Sequence, residues 1–554
     1  MSKKSFPSTL YLPDRVNLAM ESLVRIVDKE SGLPFCLFDI LSSPPKLAHT
    51  CFDWSDHTAR VIDALLLGKA MTGTTSGDET ISSLERILDN GFGIDGLHYT
   101  PENEWTSEQA NMHYQRSVIN ALLSKILVHA SDSAKDRLQK LLKGLCQISV
   151  KRDHFWYFPA VEYLRNGWFR GDWDILGYGV DPANTNGRLI FGLCKAYELL
   201  KDDESARLAE NYANHVMYHS SAYMADGSFA TGMEFREGHF HSRAVTMLGV
   251  IKYGYTFNNK AALEWGKKVF DKSRTYGSSF GWFPERLIKE RAHGAETCAI
   301  VDMMEAAIWL ALGGYTEYWE VAETYLRNQL VESQLISMNA LLTARRRRNA
   351  NDETSTAELL PFIGGFSGWS MPNDLLAKVM HSWDLYLCCC AQGIRGMFNA
   401  WTHAVTKEEE ITTVNFLINY GDSEVTVKSW LPDEGRIEFI SERSTLLKVR
   451  IPDWVEHKTI NVTCSEENVD FKITDHYLEV KNLHAGDKLE IKFVAPVFEK
   501  TERILDVDYI TTWKGNTVTG IKPEGELIPL YNHRNKNRET TVLERDIIDI
   551  PFLL

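Results

Sequence analysis

Three consecutive cysteines stand in the stretch Trp383-Asp384-Leu385-Tyr386-Leu387-Cys388-Cys389-Cys390-Ala391-Gln392-Gly393-Ile394-Arg395, in a chain of 554 residues with nine cysteines in all. Adjacent thiols strain a mutual disulfide but suit a soft metal. Upstream, Glu296-Thr297-Cys298 places a carboxylate and a thiol ahead of Ala299-Ile300-Val301-Asp302-Met303-Met304, which reads as the first turns of a helix. Glu296, Cys298 and two members of the triplet make a four-ligand set of the kind zinc takes. The competing reading is packing, because free cysteine is a small hydrophobe that cores accept readily. Structural zinc, however, usually sits in close C-x2-C knuckles of small modules. Here two remote segments of a large helical region must converge, which points to an active site.

The elements that would bring them together are helices. From about Asp14 to Ala404 apolar residues recur at three- and four-residue spacing, as in Leu189-Gly192-Leu193-Ala196-Leu199 and Val245-Leu248-Val250-Ile251. Loops rich in Gly, Asp, Asn and aromatics lie between them. Paired helices of this kind predict an (α/α)6-type barrel whose loops form a cleft at one end; a solenoid would show a fixed-length repeat, and none is visible. After Trp401 the texture becomes short alternating runs, among them Glu424–Trp430, Leu446–Ile451, Tyr477–Val480 and Lys488–Phe493, which predict a β-sandwich. The expected division is 1–404 for a catalytic α/α barrel, 405–500 for a β-sandwich, and 501–554 for further β segments and a loosely packed tail.

A formal charge of −15 argues against nucleic-acid binding. The one basic run, Arg345-Arg346-Arg347-Arg348, is expected in a solvated loop. The N-terminus lacks the apolar core of a signal peptide and no run is long enough to cross a bilayer, so a cytoplasmic protein is expected. Cys36, Cys51, Cys146, Cys194 and Cys464 are singly placed and form no disulfide framework. No nucleic-acid and no membrane partner is expected, and a homodimer is one open assembly.

The chain resembles the zinc/cysteine glycoside hydrolases typified by the β-L-arabinofuranosidases of glycoside hydrolase family 127. Three places carry the resemblance: Glu296-Thr297-Cys298-Ala299, Cys388-Cys389 with Gly393 and Arg395, and Lys448-Val449-Arg450-Ile451-Pro452-Asp453-Trp454. They occur in the family's order over most of the chain. Gln392 stands where the family usually has Asn. The triplet leaves the register open by one residue, and counting back from Arg395 puts the pair at Cys388 and Cys389. The resemblance implies an α/α barrel followed by β-sandwich domains, zinc held by Glu296, Cys298, Cys388 and Cys389, and a retaining hydrolase with Cys388 as nucleophile. It also implies Glu285 as acid/base, ahead of the zinc Glu and among aromatics that would raise its pKa; Glu290 is the rival, in the charged setting Lys289-Glu290-Arg291.

Sugar binding should draw on loop residues with flat apolar faces and polar tips: Asp53, His113, Trp173 and Asp174, and His239 and His241 just before Arg243-Ala244. Two other functions compete. One is a non-catalytic carbohydrate-binding or scaffold protein with a structural zinc. The other is an α/α-barrel uronide hydrolase or epimerase in which Asp and His do the chemistry.

Overall fold

The computed structural model describes residues 2–171, 181–288, 294–377, 383–534, 539–550 and 552. Its first part is a closed double ring of helices. Thr58–Thr72, Met112–His129, Ile190–Leu200, Phe240–Thr256, Thr297–Leu312 and Leu387–Ala404 pack each against the next, and the last returns to the first. Leu12–Arg25, Asp78–Asn90, Asp132–Ile148, Asp203–Asn214, Lys260–Arg274 and Tyr318–Tyr325 lie outside them. This is the expected (α/α)6-type barrel, and composition explains the layering. An outer helix carries one apolar stripe, such as Leu138, Leu141, Leu142 and Leu145, whereas every residue of Leu387–Ala404 is buried.

Several outer helices announce their starts in sequence. Ser131, Asp202 and Asn259 each accept a backbone N–H of the first turn. The inner helices starting at Thr297 and Leu387 have no such cap from Glu296 or Tyr386. Their polar starts are committed to the cleft instead.

The inner ring is not a purely apolar core. Arg395 Nη1 stands 2.5 Å from Asp63 Oδ2, Ser124 Oγ donates to Asp63 at 2.5 Å, and Asn399 Nδ2 donates to Glu305. Arg395 thus ties the Leu387 helix to the Thr58 helix, and Gly393 lets the former approach Phe366, whose ring lies 2.5 Å from where a Cβ would be. The arginine run departs from expectation. It forms the last turn of a helix, Met338–Arg348, where positive charge complements the macrodipole. Arg345 is buried, donating to Asp352 at 2.6 and 2.9 Å and to the Ile40 carbonyl.

Leu387–Ala404 ends where the strand Val405–Glu408 begins. Two sheets follow. One runs Val405–Glu408, Ile411–Val414, Thr445–Arg450, Tyr477–Leu483, Lys472–Thr474, with a single parallel pairing between its second and third members. The other runs Tyr420–Gly421, Val425–Ser429, Arg436–Ser441, Lys488–Lys492, Asn461–Cys464, Glu467–Asn468 and is antiparallel throughout. Alternate residues such as Leu447 and Val449, Leu478 and Val480, Ile437 and Phe439 are buried in a shared core, as a sandwich requires. A three-stranded sheet spans Val497–Ile504, Val507–Lys514 and Thr517–Lys522.

Beyond it the chain is less loose than the sequence suggests. Tyr531 is buried, Arg534 bonds the Val518 and Arg327 carbonyls, and Val542–Ile547 pairs antiparallel with Ser2–Pro7. Among the described residues no helix is long and apolar enough to cross a membrane.

The Lys448–Trp454 motif is a joint between the two parts. Arg450 forms ion pairs with Glu320 and Glu323 of the Tyr318–Tyr325 helix and donates to the Asn415 carbonyl at 2.6 Å. Trp454 Nε1 donates to Glu320 at 3.2 Å.

Candidate active site

The strand pair Leu37–Asp39 and Leu385–Tyr386 fixes the entry of the last inner helix, and Asp384 reinforces it by accepting the Ile40 and Leu41 amides. Two residues into that helix comes Cys388, then Cys389; two residues after Glu296 comes Cys298, in the first turn of the neighbouring inner helix. The sulfur separations are 3.7 Å for Cys298–Cys388, 3.7 Å for Cys298–Cys389 and 3.9 Å for Cys388–Cys389. Two sulfurs on one tetrahedral zinc, each about 2.3 Å from it, stand about 3.8 Å apart. The cluster therefore fits a metal ion. Two helix N-termini also point their partial positive charge at it, favouring thiolate.

Burial pushes the Cys388 and Cys389 thiols well up, and the hydrogen bond to Cys388 does the same for Cys298. Three sulfurs so placed ionise together only when a cation joins them. Cys390 is turned elsewhere: its sulfur accepts the Phe366 amide at 3.2 Å, and burial raises its thiol to about 12.

Glu296 is not part of the tight group formed by the three sulfurs. Its Oε2 stands 3.1 Å from His239 Nε2, which lies 4.0 Å from Glu285 Oε1. Ser242 Oγ, 2.6 Å from Nδ1, orients that imidazole. The two carboxyls are driven apart in acidity. Burial, and then the charge of Glu296, raise Glu285 to about 8 against the pull of Arg286 and Arg236. Burial disfavours the charge on Glu296 too, but the His239 ring N–H beside it and the Arg236 charge favour the ionised form. Burial thus favours the protonated form of Glu285, and its neighbours the ionised form of Glu296, in one pocket. The Glu285 backbone is pinned, its N–H to the Gly294 carbonyl and its C=O to the Phe240 amide, each at 2.7 Å.

These groups open into a cleft of about 520 Å3 lined by Cys388, Glu285, Glu296, His113, His239 and His241, with Asp56, Arg60, Arg188, Arg236, Trp105, Trp369, Trp383 and Tyr386. That size and the mixture of aromatic walls with polar groups suit a small ligand. Of the three clustered cysteines only Cys388 lines it. His113 meets Arg188 Nη1 at 3.0 Å, and His241 Nδ1 lies 2.6 Å from Asp302 Oδ2.

Asp53 is a correction to the expected sugar contacts: it is wholly buried, held by His49 at 2.7 Å and the Thr50 amide at 2.9 Å, and does not line the cleft. Asp56, three residues on, does. Trp173, Asp174 and Glu290 lie outside the described residues. Arg188, Arg236 and Trp369 escaped the sequence reading. They come from separate loops with no shared motif, and only ring closure brings them together.

Barrel, sandwich and a thiol cluster at the barrel's mouth define the class of protein. No family model and no curated protein sequence matches the chain. Among solved structures it is similar to a β-L-arabinofuranosidase of glycoside hydrolase family 127 from Geobacillus stearothermophilus T6, at 12% identity and a TM-score of 0.58 over 84% of this chain and 77% of that one. A second β-arabinofuranosidase of the same family gives 14% identity and a TM-score of 0.62 over 93% and 84% of the two chains. A structure described only as a glycoside hydrolase gives 12% and 0.60 over 93% and 81%. The fold of this chain is theirs.

Proposed function

We propose that the protein is a retaining glycoside hydrolase acting on a β-L-arabinofuranoside-like linkage in a plant or microbial oligosaccharide. The observation that carries this reading is the meeting, in one cleft of an arabinofuranosidase-like fold, of a single accessible clustered sulfur, Cys388, with a buried carboxyl, Glu285. Cys298, Cys388 and Cys389 would hold a zinc ion, with Glu296 as the nearby carboxylate to complete the set. Bound zinc would keep the sulfurs as thiolates at neutral pH and make the Cys388 sulfur a better leaving group.

Cys388 attacks the anomeric carbon while Glu285 gives its proton to the departing oxygen, leaving the sugar on sulfur. Glu285, now a carboxylate, takes a proton from water as the water's oxygen displaces the sulfur, and the configuration at carbon is retained. His239, held neutral by burial and by the Arg236 charge, stands between the two carboxyls and fixes their placement. Trp369 and Tyr386, stacked at 5.6 Å, supply a flat wall for the sugar.

The test pairs a panel of aryl L-arabinosides, D-galactosides and uronides with a haloacetamide glycoside matched to the best substrate. Label on Cys388, found by peptide mapping, supports the reading. Label on Cys389 would move the nucleophile by one residue. No turnover and no label would leave a binding protein with a structural metal.

A further inference from the structure

A second cluster of metal-ligating groups lies behind the cleft wall. The Cys36 sulfur, an Asp53 carboxylate oxygen and a His57 ring nitrogen all lie within 4.8 Å of one another, and all three residues are buried. They come from two segments. Cys36 is fixed by backbone hydrogen bonds of 2.9 Å to Ala48 and to Leu387, so it is tied directly to the start of the Cys388 helix. Asp53 and His57 are the two ends of a single π-helical turn, Asp53–His57, that leads into the first inner helix. Such wide turns re-aim side chains and are frequent at functional sites.

The local geometry is that of a site with supporting partners. His57 Nδ1 stands 3.2 Å from Asp53 Oδ1, near the roughly 3.4 Å that separates nitrogen and oxygen ligands on one tetrahedral zinc. Asp53 Oδ2 is oriented by His49 Nδ1 at 2.7 Å and by the Thr50 amide at 2.9 Å. His57 Nε2, fully buried, has no hydrogen-bond partner among the described residues. Its nearest carboxylate oxygen is Asp56 Oδ2 at 3.9 Å. A metal-bound imidazole commonly directs its outer N–H to such a carboxylate.

We propose that Cys36, Asp53 and His57 form a second metal site, for a borderline divalent transition metal and zinc before others. Thiolate, imidazole and carboxylate are a donor set that zinc accepts and magnesium or calcium does not. Three protein donors leave the fourth position to a water. The site would clamp the Cys36 segment to the π-helical turn beneath Tyr386, whose ring meets His57 edge-on at 5.8 Å.

The proposal is independent of the role given to Cys388. The full-length protein, purified under reducing conditions, stripped, reloaded with zinc and dialysed, should carry two zinc per chain. Cys36→Ser and His57→Gln should each carry one, Cys389→Ser should keep one, and Cys36→Ser/Cys389→Ser none. Cobalt-loaded Cys389→Ser should retain a sulfur-to-cobalt charge-transfer band that the double variant lacks. A single zinc in the wild type that vanishes in Cys389→Ser overturns the proposal. So does a wild-type zinc content in both Cys36→Ser and His57→Gln. One zinc in the wild type that survives in Cys389→Ser and is lost in Cys36→Ser would instead count against the thiol cluster of the cleft and leave this site standing.

Discussion

The barrel and the sandwich bury charge in opposite ways. Inside the sandwich, alternation puts aliphatic and aromatic side chains inward, and its buried arginine, Arg450, faces out of that core to meet Glu320 and Glu323 on the barrel. Inside the barrel, the inner helices carry Arg60, Asp63, Arg116, Lys195, Asp302, Glu305 and Arg395, all buried, and buried Arg188 lies in the turn just before Ile190–Leu200. Charge in a low-dielectric interior is costly unless paired and hydrogen-bonded. The barrel sustains that cost under its cleft, where perturbed acidity is useful; the sandwich meets it at the joint and at Asp422 and Glu438, which Lys407 and Lys488 pair at 2.9 and 3.2 Å.

The difference can be broken by substitution. The largest effect is expected at the thiols: Cys298→Ala or Cys389→Ser should lose the metal of the cleft cluster and lower kcat/KM by ~10³-fold or more, because the shell that keeps Cys388 ionised is opened. Zinc content and turnover measured on the same samples check it, and full zinc in either variant would refute the assignment. Next, Glu285→Gln should cost ~10²- to 10⁴-fold on substrates with poor leaving groups and much less in the first step on activated aryl glycosides. Equal losses on both classes would move the acid elsewhere.

At the joint the expected effect is on stability alone. Arg450→Met removes one of the two guanidinium partners of buried Glu323, which keeps Arg327 and the Leu417 amide, and should cost about 1–3 kcal/mol, read as a shift in the urea midpoint, with KM unchanged. A change in KM would mean that the sandwich shapes the cleft.

Acid should act on the helical part first. Burial holds His98 and His403 down to about 4, so each folds neutral while the unfolded chain takes up a proton near 6.5. The unfolded state then binds more protons, so stability is full above pH 6.5 and falls as pH drops towards 4. The loss is on the order of 1 kcal/mol for each by pH 5.5. His98→Gln should flatten that slope in a pH series of unfolding midpoints. Smallest of all, Cys390→Ala should keep zinc and activity and cost about 1 kcal/mol, since its sulfur only packs and accepts the Phe366 amide.

What sequence could reveal follows local signal. Glu296-x-Cys298 and Cys388-Cys389 are legible because the helix starts are local and the donors are adjacent or nearly so. The strands Val425–Ser429 and Lys488–Lys492 are legible by alternation. Arg436–Ser441 carries the same pattern and was open to the same argument, whereas Asn461–Cys464, with a single buried residue, was not. The loop Asp53-Trp54-Ser55-Asp56-His57 holds two aspartates. Only the π-helical turn decides that Asp56 faces the cleft and Asp53 the interior, and composition does not encode such a turn. The arginine run was misplaced because four charges in a row look solvated, while Arg345 finds Asp352 only once the following loop folds back.

The pairing of Ser2–Pro7 with Val542–Ile547 sets an order of events during synthesis. Phe6 packs within 2.7 Å of where a Cβ on Gly421 would be, so a strand made early covers a sheet whose partner edge is made much later. At roughly 5–20 residues per second the strand waits on the order of a minute for Val542–Ile547. Throughout that wait Phe6 lacks the cover it has in the finished molecule. The barrel can close while Val542–Ile547 is still unmade, so the nascent protein would hold a formed cleft before these two strands are joined.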